Sequence, residues 1–268
     1  MSSTTSLAVA QWAPGAERGA NLARVRELAQ QAVDQGAELV VFPEYSSYFT
    51  PRPGEDWVAH AEPLDGLFVT GLAAIAADLR VTLVAGMLET SPLAGRCRNT
   101  IVAVGPEGTL LATSRKLHLY DAFGSRESRW VEPGEIAPPQ LFTVGQLRVG
   151  IQTCYDLRFP EVTRRLVDAG ADLVLVPAEW VAGPGKRHAW VTLATARAIE
   201  NTVYLAGADH PPPIGAGASL IVDPIGEQLA YLDDGEDVVV ASIDRARLDE
   251  VRGINPALQL RRFRVEPL

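Results

Sequence analysis

The chain has 268 residues, of which 47% are hydrophobic, and it carries a formal net charge of −9 with a pI near 5.0. This composition predicts a large buried core and argues against general affinity for nucleic acids or anionic membranes. No run of about 18 apolar residues predicts a membrane span, and the first residues lack the pattern of a signal peptide. Two cysteines make no disulfide framework, so we expect a reduced, cytoplasmic protein. Because zinc-ligand spacing and a P-loop are absent from the sequence, we expect neither a metal nor a cofactor.

The first third of the chain alternates strand patterns with helix patterns. Apolar residues in the segment 21–35 recur at the spacing of an amphipathic helix, and residues 67–79 are also predicted to be helical. Residues 37–42 form a nearly continuous apolar run, which is typical of a strand buried on both faces. With further strand patterns over residues 6–12 and 82–88, these elements predict an α/β fold.

The rest of the chain adds three predicted hairpins, which turn at residues 106–108, 145–146 and 223–226. Pro160 suits the first turn of a helix that ends at Asp168, and Asp244 is expected to cap a short helix that ends at Arg252. The remaining predicted elements are, in chain order, a strand at 173–176, a helix at 187–200, and strands at 203–208 and 238–243.

Two distant segments share one pattern. Residues 36–43 and 170–177 are identical at five of eight positions, and each is preceded by a helix and followed by a helix and a strand. Either the chain contains two similar halves, each a sheet that buries one face against the other, or two αβ units resemble each other by chance. No linker interrupts the sequence, so we expect one domain over residues 1–268, with 253–268 as a C-terminal tail.

Cys154 lies in a setting that favours chemistry. It follows the strand predicted at residues 147–152 and precedes the turn into the helix at Pro160. Turns of this kind expose a side chain and direct backbone N–H groups towards it. Because a free thiol is mostly protonated at neutral pH, a nucleophilic cysteine needs a neighbouring base or cation. Taken alone, a cysteine here is more often a small buried side chain than a nucleophile, and Cys97 has no comparable setting.

Two further polar residues also follow predicted strands. Glu44 comes directly after a buried strand, where an unpaired carboxylate is costly, at the end of the strand where ligand sites form in α/β sheets. Lys116 ends the second strand of a hairpin, and its alternative is an ordinary surface position. Together with Cys154 they would supply a nucleophile, a base and an oxyanion donor, which suits acyl transfer from an amide-type carbonyl.

The segments "VFPE", "RKLHLYD" and "CYDLRFPE" resemble the three signatures of the carbon–nitrogen hydrolase (nitrilase) superfamily, in the same order and at the same wide separation. The resemblance implies a four-layer α-β-β-α sandwich and a catalytic triad of Glu44, Lys116 and Cys154. It also implies a second glutamate that positions the lysine or the substrate. Glu127 matches that position better than the nearby Glu132 and Glu135.

The same resemblance implies an oxyanion hole made by the lysine and by the backbone N–H of Tyr155. The motif "CYDLRFPE" is most similar to an amidase branch that includes ω-amidase and deaminated-glutathione amidase, whereas true nitrilases more often carry "CWEN". We therefore expect a thioester mechanism that releases ammonia from a small linear amide. N-carbamoyl amines and nitriles, which the same triad would hydrolyse, remain alternative substrates, and a catalytically inactive scaffold is the alternative from a different class.

Substrates of that amidase branch carry carboxylates, which need a cation in the pocket. Arg158 and Arg197 are candidates by residue type, and each has an ordinary salt bridge as its alternative role. Tyr48, Glu179 and Trp180 are predicted to line the pocket. Glu179 departs from the small or amide residues that other members carry there, and as a carboxylate it would repel an anionic acyl group.

Two other hydrolase classes fit the sequence less well. A Cys–His protease would need a histidine near Cys154, and a serine hydrolase of the G-x-S-x-G type lacks its motif. The partner expected from the resemblance is a second copy of the chain, as a homodimer or a higher oligomer. The tail at residues 253–268 would then either cross the dimer interface or fold back on its own subunit.

Overall fold

The computed structural model describes residues 4–268 as two β-sheets packed face to face, with helices on both outer surfaces. Residues 1–3 belong to the predicted domain but lie outside the described residues. Within the described part of the chain, no helix is long and apolar enough to cross a bilayer.

The first sheet has seven strands in the order β13-β1-β2-β3-β4-β5, with β6 beside β4. Its central strands β1, β2 and β3 are parallel, and the others except β6 join them antiparallel. The strands are β1 Thr4–Gln11, β2 Leu39–Val41, β3 Thr82–Thr90, β4 Cys97–Val104, β5 Leu110–Arg115, β6 Val131–Glu132 and β13 Asp237–Asp244.

The second sheet has six strands in the order β12-β11-β10-β9-β8-β7. Here β8, β9 and β10 are parallel, and the remaining strands are antiparallel to their neighbours. The strands are β7 Phe142–Val144, β8 Leu147–Ile151, β9 Leu173–Pro177, β10 Tyr204–Ala208, β11 Leu220–Val222 and β12 Gln228–Tyr231.

The two sheets share one connectivity, which supports the expectation of two equivalent halves. In each, three parallel strands are followed by two antiparallel ones, and one further antiparallel strand closes the opposite edge. The matching segments at residues 36–43 and 170–177 contain β2 and β9, which hold the same central place in the two sheets. The closing edge strand differs in origin, because it is β13 from the end of the chain in one sheet and β7 from a hairpin in the other.

The middle layer is formed by the facing apolar sides of the two sheets, and full burial of one such side chain stabilises the fold by about 1.5–3 kcal/mol. Its members include, from the first sheet, Leu7, Val9, Leu39 and Val41, and, from the second, Val149, Ile151, Leu173 and Leu175. The outer faces are covered by α1 Arg18–Asp34 and α3 Leu67–Leu79 on the first sheet, and by α4 Pro160–Asp168 and α5 Lys186–Asn201 on the second.

Most predicted elements form at or near their expected bounds, and α3 and α4 match them at both ends. Asp244 caps α6 Arg245–Ile254 by accepting a hydrogen bond from the N–H of Ala246 at 2.9 Å. The sequence patterns missed the five-residue helix α2 Glu55–Ala59 and the two-residue strand β6, because such short elements carry no periodicity. The tail beyond α6 has no helix or strand, and Arg261 pairs with Asp168 of its own α4.

Candidate active site

Residues that follow β2, β5 and β8 meet beside one cavity of about 300 Å³. Glu44 lies three positions beyond β2, Lys116 directly follows β5, and Cys154 lies three positions beyond β8. Lys116 and Cys154 line the cavity together with Glu127, while Glu44 is fully buried behind Lys116. The fold therefore brings together four residues, of which Glu44 and Cys154 are 110 positions apart in the sequence.

Lys116 lies between two buried carboxylates. Its ammonium group donates to Glu44 Oε1 at 2.9 Å and contacts Glu127 Oε2 at 3.0 Å, and all three side chains are at most 4% exposed. The second oxygen of Glu44 accepts the backbone N–H of Glu179 at 2.7 Å. Such a buried ion cluster is stable only when its remaining donors and acceptors are also satisfied.

Two residues that the sequence analysis missed complete this cluster. The side-chain amide of Asn99 on β4 donates to Glu44 at 2.5 Å and to the hydroxyl of Tyr45 at 2.8 Å. Tyr45 in turn donates to Glu127 at 2.7 Å. The sequence gives no signal that singles out Asn99, because it lies between the polar residues Arg98 and Thr100 at the start of β4.

The three charged groups differ in the direction of their pKa shifts. Burial raises the pKa of Glu44, although the charge of Lys116 opposes the shift. Burial would also raise the pKa of Glu127, but Lys116 and the hydrogen bonds from Tyr120 N–H and Tyr45 lower it below its ordinary value. Burial would lower the pKa of Lys116, yet Glu127 and Glu44 raise it well above its ordinary value. The lysine is therefore a permanent cation, and Glu44 is the carboxyl better suited to exchanging a proton.

Cys154 begins a 3₁₀ turn, Cys154–Arg158, in a strained backbone conformation with φ of 42°. For a residue with a side chain this left-handed region is costly, and such strain is held in place by the surrounding contacts. The start of the turn is held by two hydrogen bonds: the N–H of Asp156 donates to the carbonyl oxygen of Thr153 at 2.9 Å, and the N–H of Thr153 donates to the Asp156 carboxylate at 3.2 Å. Burial raises the pKa of Cys154 well above its ordinary value, and the charge of Glu44 adds to this while Lys116 opposes it. The resting thiol is therefore protonated, and its Sγ contacts the carbonyl oxygen of Glu179 at 3.4 Å.

Asp156 ties the cysteine turn to the lysine segment. Its buried carboxylate accepts the N–H of Thr153 at 3.2 Å, the N–H of His118 at 2.9 Å and the His118 ring nitrogen Nδ1 at 2.8 Å. The His118 ring also stacks on Phe159 with 3.7 Å between the ring centroids. These contacts fix the end of the first sheet against the end of the second, so Lys116 and Cys154 keep their relative position.

Two cations, Arg158 and Lys186, also line the cavity, on the part of its wall that is called the mouth below. The Arg158 guanidinium stacks over the ring of Trp180 at 5.0 Å, and Lys186 donates to the hydroxyl of Tyr120 at 2.8 Å. The Lys186 ammonium also lies 3.7 Å from the ring centre of Phe123, which is 75% exposed. Neither cation forms a salt bridge with a carboxylate among residues 4–268, so both are available to an anion entering the cavity.

The other predicted pocket residues do not all reach the cavity. Glu179 and Trp180 line it, and so does Tyr155, for which the sequence singled out only the backbone N–H. Tyr48 does not, because its ring stacks on His60 and its hydroxyl donates to Asp56 at 3.1 Å, so it faces away, whereas its neighbour Phe49 lines the cavity. Lys186, the first residue of α5, also lines the cavity but was not singled out from the sequence.

Arg197 does not reach the cavity either, because it is buried under the cysteine turn. Its guanidinium donates twice to the carbonyl oxygen of Leu157, at 2.8 and 3.1 Å, and once to Glu200. This pairing agrees with the structural alternative named for Arg197.

None of the four histidines, all of which lie in the described part of the chain, lines the cavity with Cys154. His210 is buried, and its Nε2 bonds to the backbone oxygen of Glu44 at 2.9 Å. Burial lowers the pKa of His210 to about 4, so it is neutral. His188 is exposed. This arrangement disfavours a Cys–His protease.

Comparisons with known proteins agree with this site. The carbon-nitrogen hydrolase family profile matches residues 6–253. The chain is 37% identical to deaminated glutathione amidase from Escherichia coli O157:H7 over 238 residues, which is 88% of this chain and 89% of that protein. It is 31% identical to human omega-amidase NIT2 over 252 residues, which is 90% of this chain and 89% of that protein.

A solved structure confirms the fold class. The C. elegans NitFhit protein superimposes with a TM-score of 0.87 at 28% sequence identity. The match covers 97% of this chain, but the chain spans only 65% of the NitFhit chain. The likeness therefore extends over nearly all of the two-sheet sandwich described above.

Proposed function

The chain belongs to the carbon–nitrogen hydrolase family, and on this premise we propose that it hydrolyses a small linear amide through a thioester on Cys154. The observation that carries the proposal is the buried ammonium of Lys116, held between Glu44 and Glu127 on the wall that also presents the Cys154 thiol. Acyl transfer from an amide needs a nucleophile, a proton acceptor and a fixed positive charge, and these groups supply all three.

In the acylation half, Glu44 accepts the thiol proton as Cys154 Sγ attacks the carbonyl carbon of the amide. The carbonyl oxygen becomes an oxyanion, which Lys116 and the backbone N–H of Tyr155 stabilise. When the C–N bond breaks, Glu44 returns the proton to the leaving nitrogen, and ammonia departs. The raised pKa of Glu44 suits this exchange, because a base that must also act as an acid works best near the operating pH.

In the deacylation half, a water molecule takes the place of ammonia. Glu44 removes a proton from this water, whose oxygen attacks the thioester carbonyl. The C–S bond then breaks, the thiolate recovers the proton, and a carboxylic acid is released. Glu127 does not exchange a proton in this scheme. It holds Lys116 in place, in agreement with its lowered pKa.

The cavity favours an acyl group that ends in a carboxylate. A volume of about 300 Å³ admits only a small substrate. Arg158 and Lys186 lie at the mouth without carboxylate partners among the described residues. An amide with a carboxylate at its far end would place the amide at Cys154 and the carboxylate between the two cations. The relatives named deaminated glutathione amidase and omega-amidase are in keeping with such a substrate.

The test is product release by purified protein: ammonia from α-ketoglutaramate, simple aliphatic amides, nitriles and N-carbamoyl amines, and the dipeptide amine from deaminated glutathione, whose amide nitrogen is substituted. We expect the carboxylate-bearing amides to be the best, and Cys154→Ala to lower kcat/KM by at least about 10⁴-fold. Cys97→Ala is the matched control, because Cys97 lies outside the cavity and burial raises its pKa to about 12.

The other outcomes are equally informative. Equal activity of Cys154→Ala and the wild type would contradict the thioester mechanism. A preference for N-carbamoyl amines or nitriles would keep the mechanism and replace the substrate. No thiol-dependent turnover of any compound, and no acyl adduct on Cys154 by mass spectrometry, would favour an inactive scaffold.

A further inference from the structure

Glu179 is a carboxyl group at the reacting centre that the mechanism does not use. It lies two positions beyond the end of β9 and lines the cavity together with Cys154. Its backbone is bonded to the proposed base and to the proposed nucleophile. Its N–H donates to Glu44 at 2.7 Å, and its C=O accepts from Cys154 Sγ at 3.4 Å. The side chain therefore starts between the base and the nucleophile.

The neighbouring backbone prevents this segment from turning away. The N–H of Trp180 donates to the buried carboxyl of Asp209 at 2.7 Å, and the Trp180 indole donates to the backbone oxygen of Lys186 at 2.9 Å. With both sides held, the Glu179 side chain has only the cavity to occupy. It nevertheless forms no hydrogen bond and no ion pair with any side chain or backbone group of residues 4–268.

The Glu179 side chain is partly exposed to the cavity, so its hydrogen-bonding capacity is met by cavity water or by a ligand that replaces this water. The three other carboxyl groups near the cavity already have hydrogen-bond partners, since Glu44, Glu127 and Asp209 each accept several hydrogen bonds. Glu179 is the exception. The unused hydrogen-bonding capacity therefore points into the space where the acyl chain of a substrate would lie.

We propose that Glu179 determines specificity by donating a hydrogen bond from its carboxyl group to an oxygen atom on the acyl chain of the substrate. This inference rests on the proposed function and deepens it. The substrate would be an amide with a carboxylate at the mouth, between Arg158 and Lys186, and a keto-type acceptor oxygen between that carboxylate and the amide.

The charges around Glu179 explain why the group donates rather than accepts. Burial raises its pKa well above the ordinary value of 4.5, the charges of Glu44 and Asp209 add to the shift, and Lys116 opposes it. The titratable and charged groups that face it are, from the elements packed around the cavity, Glu44, Tyr45, Lys116, Tyr120, Glu127, Cys154, Arg158, Lys186 and Asp209.

Neutral Glu179 removes the objection that arose from the sequence, where a carboxylate at this position would repel an anionic acyl group. A protonated carboxyl carries no charge and offers one O–H donor. A ligand that lacks the matching oxygen leaves the Glu179 donor without a partner, so the cavity binds such a ligand less tightly.

The test measures binding to protein that carries Cys154→Ala, so that it does not depend on turnover. Three probes of equal length are compared by calorimetry: α-ketoglutaramate with a keto oxygen, glutaramate with a methylene group, and L-glutamine with an ammonium group. We expect α-ketoglutaramate to bind about tenfold more tightly than glutaramate. Adding Glu179→Gln, which keeps an N–H donor, should preserve this ratio within about threefold, and adding Glu179→Leu should abolish it.

The ratio between probes separates a contact from a structural role, because a misfolded cavity would weaken all three probes alike. Glu107→Gln on the exposed β4–β5 turn is the matched control for the substitution. An unchanged ratio in Glu179→Leu, or no binding of any probe, would overturn the inference. So would tighter binding of L-glutamine together with its loss in Glu179→Gln, since that pattern requires an ionised carboxylate.

Failure of the proposed function gives a different result. In that case the Cys154-intact protein would release no ammonia from α-ketoglutaramate, while the binding ratio would still report on Glu179. If the protein releases ammonia but the affinity ratio of α-ketoglutaramate to glutaramate does not change when Glu179 is substituted, the inference about Glu179 fails and the proposed function stands.

The pH dependence of stability provides a second readout. Folding raises the pKa of the Glu179 carboxyl, so the folded protein holds this proton more tightly than the unfolded chain. The free energy of unfolding therefore falls as the pH rises from the unfolded-state pKa of 4.5 to the folded-state pKa. Glu179→Gln removes that loss. We expect the melting temperature of the variant, relative to the wild type, to increase as pH rises from 4.5, whereas Glu107→Gln should show a flat difference.

Discussion

Two regions of the cavity wall differ in how completely their polar groups are paired. At the end of the first sheet, Glu44, Lys116 and Glu127 form a closed cluster in which each group contacts at least two others. At the end of the second sheet, Cys154 sits in a strained turn and the Glu179 carboxyl has no partner among the described residues. The polar groups of the first region are paired before the substrate binds, whereas the Glu179 carboxyl of the second region is free to pair with the substrate.

This difference follows from what each region has to do. An oxyanion donor acts best when its orientation costs nothing at the moment of reaction, which requires partners already in place. A group that distinguishes substrates must instead keep its hydrogen bond free until the right ligand supplies the other half. Substitutions in the two regions should therefore have different signatures, and three experiments compare them directly.

The largest effect is expected from Lys116→Met in the paired region. It removes an oxyanion donor, which lowers kcat by about 10²–10³-fold, and it leaves two buried carboxylates without their cation, which destabilises the fold by about 3–5 kcal/mol. Denaturant unfolding and steady-state kinetics would measure both. A Lys116→Met protein as stable as the wild type would contradict the paired cluster.

The pH dependence of that destabilisation has a definite sign. The pKa of Glu127 is lowered in the native protein, so its contribution to stability is present above the ordinary value of 4.5 and is lost as pH falls through the folded pKa. Lys116→Met removes the part of this contribution that comes from the lysine charge, which is the largest cause of the lowered pKa. The stability difference between the wild type and Lys116→Met should therefore shrink as pH falls below 4.5.

A smaller effect is expected from the cations at the mouth. Arg158→Met or Lys186→Met should each lower kcat/KM for a carboxylate-bearing amide by about tenfold, mainly through KM, because a charged hydrogen bond to the substrate is lost. An uncharged amide of similar length should be hydrolysed at nearly the wild-type rate. Equal losses for the charged and the uncharged substrate would show that these residues do not bind a carboxylate.

The smallest effects come from two tyrosines only three positions apart. Tyr45→Phe removes a hydrogen bond to Glu127 and should lower kcat several-fold, since a single neutral hydrogen bond contributes about 1 kcal/mol. Tyr48→Phe should change kcat/KM by less than about twofold, because the Tyr48 hydroxyl bonds to Asp56 away from the cavity. The reverse order of effects would mean that Tyr48 faces the substrate after all.

Local patterns predicted the helices and strands well wherever the periodicity was long. Helix α3 and the Pro160-initiated α4 formed at their expected bounds. The 3₁₀ turn at Glu127–Arg129 and the helix α2 were missed, because their few residues carry no repeat. The strand at residues 37–42 shortened to β2 Leu39–Val41, since the residues after it leave the sheet to carry Glu44 into the site.

The site was predicted unevenly for a related reason. Glu44, Lys116, Glu127 and Cys154 lie in motifs whose residue types stand out in the sequence, and the family resemblance links them. Asn99 and Lys186 carry no such mark, since one is a polar residue among other polar residues at the start of a strand and the other is a charged residue at the start of a helix. Tyr48 was assigned to the pocket by its closeness to Glu44 in the chain, and the turn after β2 directed it elsewhere.

The alternation of elements and the family follow from the amino-acid sequence alone, because they depend on local periodicity and on short motifs. The equivalence of the two halves, the groups that share the cavity and the directions of their pKa shifts become visible only in the folded chain. Those properties depend on burial and on charges from distant segments, as when Glu44, Asp209 and Glu179 meet from three different strand ends. Burial and the charges of Glu44 and Asp209 thus raise the pKa of a carboxyl that the sequence alone marks as an ordinary anion.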